Sequence, residues 1–577
     1  MINNIKQDPA CQDLEEAAEL DPGSVELLKR LVTCYMQQRN PEKAIAALQK
    51  IVRIQPENPY IRLNLGKLFL LTGDEDVAIG HLRDAVDLDP SNIEAHANLC
   101  NTLAASDKLV EAADCFEKAK QYIPDNPELL AALATTYYRL GMMEKACITC
   151  REVIRLKPDH APAHSALLYS LNYLPDSGPE YKFSEHARWG ELHAPVSAWP
   201  ASYRNTRVPD RRLRIGYVSP NFYTHSVAFF IQALLSRHDR KAVETFCYAN
   251  MDGADRKTGE LMRLADNWRD IKKMNDSEVV RLVISDEIDI LVDLAGHTAD
   301  NRLGLFARKP APLQVSYIGY PASTGMLAMD YRFTDDLADP PGSTEELHTE
   351  TLLRIPNGFL CYQPPVAGEV APLPCLKKGY VTFGSFNNLA KINSAVIEAW
   401  SGLLKQVPGS RLLIKSKSLK YEDIRADLCQ LFAAHGIHDS RIEITGWVGS
   451  MEDHLDLYSQ VDIALDTFPY NGTTTTCESL YMGVPVVVLA GQEHVGRVGV
   501  SLLTHAGLAE FIADSVDTYI KLAASWAGNV QALAVVRKQL RARVSGSNLC
   551  DADSKTRNIE RLYRTIWTDW LEKTGDT

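Results

Sequence analysis

The sequence predicts an α solenoid followed by two doubly wound α/β lobes, and three observations predict it. Prolines stand at 22, 56, 90, 124 and 158, each 34 residues from the next. Beyond residue 210, apolar runs of strand length alternate with helix-length segments, the pattern of a parallel sheet covered by helices. That alternation breaks once, at the proline-rich "CYQPPVAGEVAPLPC" (Cys361 to Cys375), and then begins again. The expected organisation is a repeat superhelix over 1–175, a linker over 176–210, a first lobe over 211–365 and a second over 366–577.

The first element is justified by a second register. Alanines at 44, 78, 112 and 146 keep the 34-residue step, as a small residue must where two helices approach closely. Each proline suits a stop after a helix. Period and residues together resemble the tetratricopeptide repeat, with four full units over about residues 25 to 160. The resemblance implies a stack of helix pairs whose concave face holds polypeptides and carries no chemistry of its own.

Bulk properties exclude several classes. The 577 residues are 45% hydrophobic and 23% charged, ordinary for a well-cored soluble chain. A net charge of -13 argues against nucleic acid or an anionic membrane as the main partner. The opening "MINNIKQDPACQDLEEAAEL" is too acidic and polar for a signal peptide, and no run approaches membrane-spanning length. The twelve cysteines form no ladder, and "CITC" (Cys147 to Cys150) lies inside a helical pattern, so thiols in a reducing cytoplasm are expected.

In the two lobes the strand candidates are "LRIGYVSP", "VETFCYAN", "IDILVDLAGHT", "PLQVSYIGYP" and "MDYRFTDD", then "YVTFGSFNN", "SRLLIKSKS", "RIEITGWV", "VDIALDTF" and "VPVVVLAG". Such sheets bind ligands outside the carboxyl ends of their strands. No G-x-G-x-x-G follows the first strand and no Walker motif is present. The only D-x-D strings lie in the repeats (Asp74-Glu75-Asp76, Asp87-Leu88-Asp89) and the tail (Asp551-Ala552-Asp553), none placed to seat a divalent cation beside a diphosphate, so no metal is expected and phosphate charge must be met by the protein itself.

Three stretches of the second lobe have the right chemistry. "GSFNNLAKI" (Gly384 to Ile392) follows a strand, and Lys391 is there either a diphosphate ligand or a solvated lysine. "NGTTTTCESL" puts Thr473, Thr474 and Thr475 where a strand turns into a helix, a place that suits an anion or a plain N-cap. Glu478 follows one turn later, as a ribose ligand or a capping-box partner of Thr475. In the first lobe, His225 and His297 end strand loops and are expected to face a cleft as base or hydrogen-bonding groups, or else to be structural.

These motifs, with "GYVSPNFYTHSV" and "ILVDLAGHTADNRLG", resemble the SPINDLY-like branch of the O-GlcNAc transferase family over essentially the whole chain. The resemblance implies a GT-B fold and an inverting, metal-independent transfer from a nucleotide sugar to Ser or Thr of proteins, without a cofactor. By position it gives Lys391 to the leaving diphosphate and His225 to the cleft, once proposed there as the base. His454 falls to the nucleotide base, Thr473, Thr474 and Thr475 to phosphate, and Glu478 to ribose, with Asn387 and Asn388 also on the donor. Asn388, Thr473 and Glu478 depart from the UDP-GlcNAc pattern, which favours GDP-fucose as donor over UDP-GlcNAc. A repeat scaffold with a regulatory nucleotide-sugar site is the alternative of another class.

Overall fold

The computed structural model describes residues 9–575 and divides into two compact units, 1–158 and 159–577. In the first unit a helix at Pro9–Leu20 precedes four helix pairs: Val25–Gln37 with Pro41–Ile54, Pro59–Thr72 with Glu75–Leu88, Ile93–Ala105 with Leu109–Tyr122, and Pro127–Leu140 with Met143–Leu156. Ala44, Ala78, Ala112 and Ala146 are all buried in the second helix of their pairs. The 34-residue step also carries the helix starts. Ser24, Asn58, Asn92 and Asn126 each accept a backbone N–H three residues on, so every repeat opens on a side-chain cap.

Cysteines depart from the expectation in this unit. Cys11–Cys34 and Cys100–Cys115 are disulfides joining neighbouring helices. Cys147 and Cys150 are free and buried, and burial pushes both thiols up to about 12, which leaves them unreactive. Among the described residues no helix is long and apolar enough to cross a membrane.

The second unit holds two parallel sheets. The first comprises β1 (Leu213–Ser219), β2 (Val243–Ala249), β3 (Asn267–Asp270), β4 (Ile290–Asp293), β5 (Leu313–Ser316), β6 (Tyr331–Thr334) and β7 (Thr351–Arg354), in the order β3-β2-β1-β4-β5-β6-β7. The second comprises β8 (Thr382–Ser385), β9 (Arg411–Lys415), β10 (Ile442–Thr445), β11 (Ile463–Leu465), β12 (Val486–Leu489) and β13 (Ile512–Ala513), in the order β10-β9-β8-β11-β12-β13. Every strand expected from the sequence is present. The three it did not show, β3, β7 and β13, are all edge strands. Each sheet reverses its strand order once, between β1 and β4 and between β8 and β11, and a crevice opens at such a point.

The span expected as a linker is not one. Residues Pro179–His193 form a helix that buries Lys182, His186 and Trp189 against the α/β unit. The approach is close: a Cβ on Gly190 would lie 1.9 Å from the Gly325 carbonyl oxygen, and one on Gly325 would lie 1.9 Å from that of His186. Lys182 pairs with Glu493 of the second sheet's lobe, so this helix ties both lobes together. The last helix, Ala552–Gly575, returns to the first lobe. Glu560 there meets His238 at 3.0 Å, and Trp567 Nε1 donates to the Val208 carbonyl.

Gly190→Ala weighs two effects. Alanine gains about 1 kcal/mol of helix propensity, but the methyl meets backbone that cannot rotate away, and overpacking costs about 1–3 kcal/mol or more. The clash wins. Thermal unfolding of the variant should have a lower midpoint than that of Gly528→Ala, whose Cβ meets nothing within 4 Å; equal midpoints would mean that the helix is not seated as described.

Candidate functional site

The second sheet's reversal brings together what lies far apart in sequence. At the end of β8 the chain passes through Asn387 and Asn388 to a 3-10 turn at Leu389–Lys391. At the end of β11 it passes Asp466 and reaches the helix Thr474–Tyr481. Lys391 Nζ donates to the Asn471 carbonyl at 2.7 Å and stands 4.0 Å from the centre of the Tyr470 ring. Asn387 Oδ1 accepts from Thr475 Oγ1 at 2.8 Å, and its Nδ2 donates to Asp466 Oδ1. Asn388 is exposed and caps the turn, accepting from the Ala390 N–H.

Asp466, to which no role fell on sequence grounds, organises the loop. Its Oδ1 accepts from the N–H groups of Gly472 at 2.7 Å and Thr467 at 2.8 Å, while Oδ2 has no partner. Gly472 has no room for a side chain, since a Cβ would come within 2.7 Å of the Thr475 and Thr476 hydroxyls. Burial raises the Asp466 carboxyl to about 6, with the Gly472 N–H and Lys391 pulling against it. Burial likewise lowers Lys391 to about 8, with Asp466 pulling upward.

The threonine run starts its helix without a side-chain cap. Thr473 holds the N-cap position and makes no capping bond, and the buried Thr474 hydroxyl has no partner. The first-turn N–H groups have no intrahelical acceptor. Hydroxyls, N–H groups and the Lys391 ammonium therefore converge on one place, which is what a phosphate needs. The Thr475–Glu478 capping box does not form. Glu478, 4% exposed, instead meets His454 Nε2 at 3.0 Å, and His454 Nδ1 lies 3.0 Å from Lys415 Nζ at the end of β9. Lys415 was not singled out, because nothing in "RLLIKSKS" shows which lysine turns inward.

The two histidines of the first lobe part ways. His297 is a correction: it is 2% exposed, its Nδ1 bonds with Ser165 Oγ at 3.0 Å and its Nε2 with the Thr324 carbonyl at 2.9 Å. Trp189, His186 and Tyr320 pack around it, so it faces no cleft and serves the structure. His225 is half-buried at the N-cap of the helix Ser226–Arg237, where Nδ1 accepts from the Val227 N–H at 3.3 Å. Burial lowers it to about 4, so it is neutral near pH 7. With Nδ1 accepting from the Val227 N–H, the ring proton sits on Nε2, which leaves Nε2 as a hydrogen-bond donor.

Two parallel sheets, each with one reversal of strand order and one with a phosphate-suited crevice there, define a two-lobed Rossmann-like protein, here carrying helical repeats. The chain belongs to glycosyl transferase family 41, whose description matches residues 164–363 and 374–559. Tetratricopeptide repeats match residues 10–68 and 103–168. It is 44% identical over 428 residues to the probable UDP-N-acetylglucosamine–peptide N-acetylglucosaminyltransferase SPINDLY of Hordeum vulgare, covering 73% of this chain and 45% of that protein. The identically described Arabidopsis thaliana protein is 42% identical over 427 residues, covering 72% and 46%. The chain thus spans about half the length of these curated relatives. Among solved structures, a lysine-to-methionine mutant of Thermobaculum terrenum O-GlcNAc transferase is 33% identical and superposes with a TM-score of 0.74, covering 95% of this chain and 98% of that one.

The Lys391 environment sets a pH dependence. A protonated ammonium holds phosphate, and Lys391 loses its proton as pH rises through about 8. Affinity for a nucleoside diphosphate should therefore fall through that range, and Lys391→Arg, which stays protonated, should flatten the fall. Titration calorimetry across pH checks this; wild-type affinity that stays level would take Lys391 out of the site.

Proposed function

We propose that the protein transfers a sugar from a nucleoside-diphosphate sugar to Ser or Thr hydroxyls of polypeptides, with inversion, and that the donor is GDP-fucose. The observation that carries the reading is the convergence of Lys391, the threonine loop and Glu478 at one strand reversal. The acceptor hydroxyl attacks the anomeric carbon as the bond to the diphosphate breaks, and negative charge grows on the β-phosphate. Lys391 meets it: an ammonium has three N–H donors and the Asn471 carbonyl takes one. The unpaired Thr474 hydroxyl and the helix N–H groups add fixed dipoles aimed at the same charge. Counter-charge comes from the protein, so no divalent cation enters this reading.

Glu478 takes the ribose diol, with His454 beside it on the base side. His225 donates from Nε2 to the donor sugar or its phosphate, and the acceptor's proton passes to a phosphate oxygen of the leaving group. The repeats supply a face for the polypeptide acceptor. Asn388 and the threonine run with Glu478 favour the fucosyl donor. The names of the plant relatives speak for UDP-N-acetylglucosamine, which is the second reading.

Losing a group that stabilises the developing charge costs about 2.7–4 kcal/mol in the barrier. Lys391→Ala should accordingly lower turnover on the order of a hundredfold or more. Single-turnover assays with a peptide acceptor check it, and near-normal turnover in the folded variant would sink the role given to this lysine.

Donor identity is tested by titrating the purified chain with GDP and, separately, UDP. Tighter GDP binding, followed by consumption of GDP-fucose with an acceptor peptide, is the expected outcome. Tighter UDP binding with turnover of UDP-N-acetylglucosamine would establish the second reading, and donor bound but never consumed would make the lobe a regulatory site.

A further inference from the structure

We propose that His96, Cys100 and Cys115 of the third repeat form a Zn2+ site when the Cys100–Cys115 disulfide is reduced, so that the same two sulfurs serve either as a covalent link or as metal ligands.

The 34-residue step lets each position be compared with its counterparts in the same chain. In step with His96, Cys100 and Cys115, the first repeat has Leu28, Val32 and Ala47, the second Arg62, Gly66 and His81, and the fourth Leu130, Ala134 and Thr149. Packing of the helix pair therefore does not call for an imidazole and two sulfurs at these places, and the third repeat alone has them.

One ligand atom from each of the three residues lies within 4.8 Å of the other two, and all three residues are buried. Among the described residues, no other three His, Cys, Asp or Glu side chains are placed to hold an ion. His96 Nε2 bonds with the Pro90 carbonyl at 2.9 Å. A carbonyl only accepts, so Nε2 carries the ring proton and Nδ1 keeps its lone pair. Nδ1 is buried and has no partner, which costs free energy until something takes that lone pair. A ring N–H donated to a backbone carbonyl is also how zinc-bound histidines are commonly oriented.

Charge and reach choose the ion. Two thiolates and a neutral imidazole carry two negative charges, which a divalent cation cancels and a monovalent one would leave partly unmet in the interior. Thiolate and imidazole ligands without a carboxylate suit Zn2+ and not Mg2+ or Ca2+. A Zn–S bond of about 2.3 Å lets two sulfurs on one ion stand up to about 4.6 Å apart, a span that fits Cα atoms 5.5 Å apart. Three protein ligands leave the fourth position to water.

A disulfide sulfur has no thiolate charge to give, so link and ion exclude each other. A dithiol reductant passes two electrons and two protons to Cys100 and Cys115 and closes its own disulfide. Zn2+ then displaces both thiol protons.

The test is to reduce the full-length chain, desalt it without oxygen and titrate it with Co2+, whose thiolate charge-transfer absorption reports sulfur ligands, and then with Zn2+. The reduced wild type should bind one Co2+ that Zn2+ displaces, and the oxidised chain should show no such absorption. Cys100→Ala and Cys115→Ala place there the residue of the fourth and first repeats, Ala134 and Ala47, which keeps the fold. Each should lose the absorption. His96→Leu, matching Leu28 and Leu130, should keep the circular dichroism spectrum and weaken Zn2+ about tenfold or more. No Co2+ uptake by the reduced wild type, or uptake unchanged in these three variants, would overturn the site. Equal uptake by the oxidised chain would overturn the exclusion of link and ion.

Discussion

Asp466 ends the central strand β11 inside the protein, where a carboxylate has no water to satisfy it. Such a group must collect donors or lose its charge. It collects the N–H groups of Thr467 and Gly472 and the amide of Asn387, and it faces the Lys391 ammonium. Those partners come from both strands that flank the reversal of the second sheet. One buried charge therefore folds the β11 loop onto the β8 loop, and the threonine helix starts from that folded position. The loop that carries the threonine run is held by a carboxylate that itself faces inward.

The same arrangement accounts for the unusual state of the lysine. Desolvation works against the ammonium while Asp466 works for it, and the balance leaves Lys391 lowered. A diphosphate arriving beside it adds negative charge, which favours the protonated form. Burial thus holds the cation at a cost that neighbouring negative charge offsets. In the Lys415–His454–Glu478 chain the burial of Lys415 is likewise offset by the carboxylate at the far end.

The lobes are tied through side chains that sequence position does not bring together. His494 Nδ1 lies 2.6 Å from Asp339, Ser501 Oγ donates to Asp335 at 2.5 Å, and Arg497 donates to the Leu337 carbonyl at 2.9 Å. The helix Pro179–His193 and the final helix cross from one lobe to the other. His297, placed at the end of a strand loop where ligands usually bind, is covered by the first of these helices, and that cover turns it from a cleft residue into a core residue.

The sequence by itself determined the period of the repeats, the interior strands and the phosphate-suited stretches. These are local signals: a 34-residue step, an apolar run, a hydroxyl-rich turn before a helix. Strands β3, β7 and β13 were illegible because their local signal is weak: β3 is the polar Asn267–Asp270, β7 is only partly buried between Thr351 and Arg354, and β13 spans two residues. Tertiary structure alone decided that Asp466 holds the loop before the threonine helix, that Lys415 meets His454, that Glu478 pairs with His454 and not with Thr475, that His225 Nδ1 caps its own helix, and that residues 179–193 are a packed helix. Each of those outcomes depends on which groups burial brings face to face across tens or hundreds of residues, and desolvation acts on neighbours in space, not in sequence.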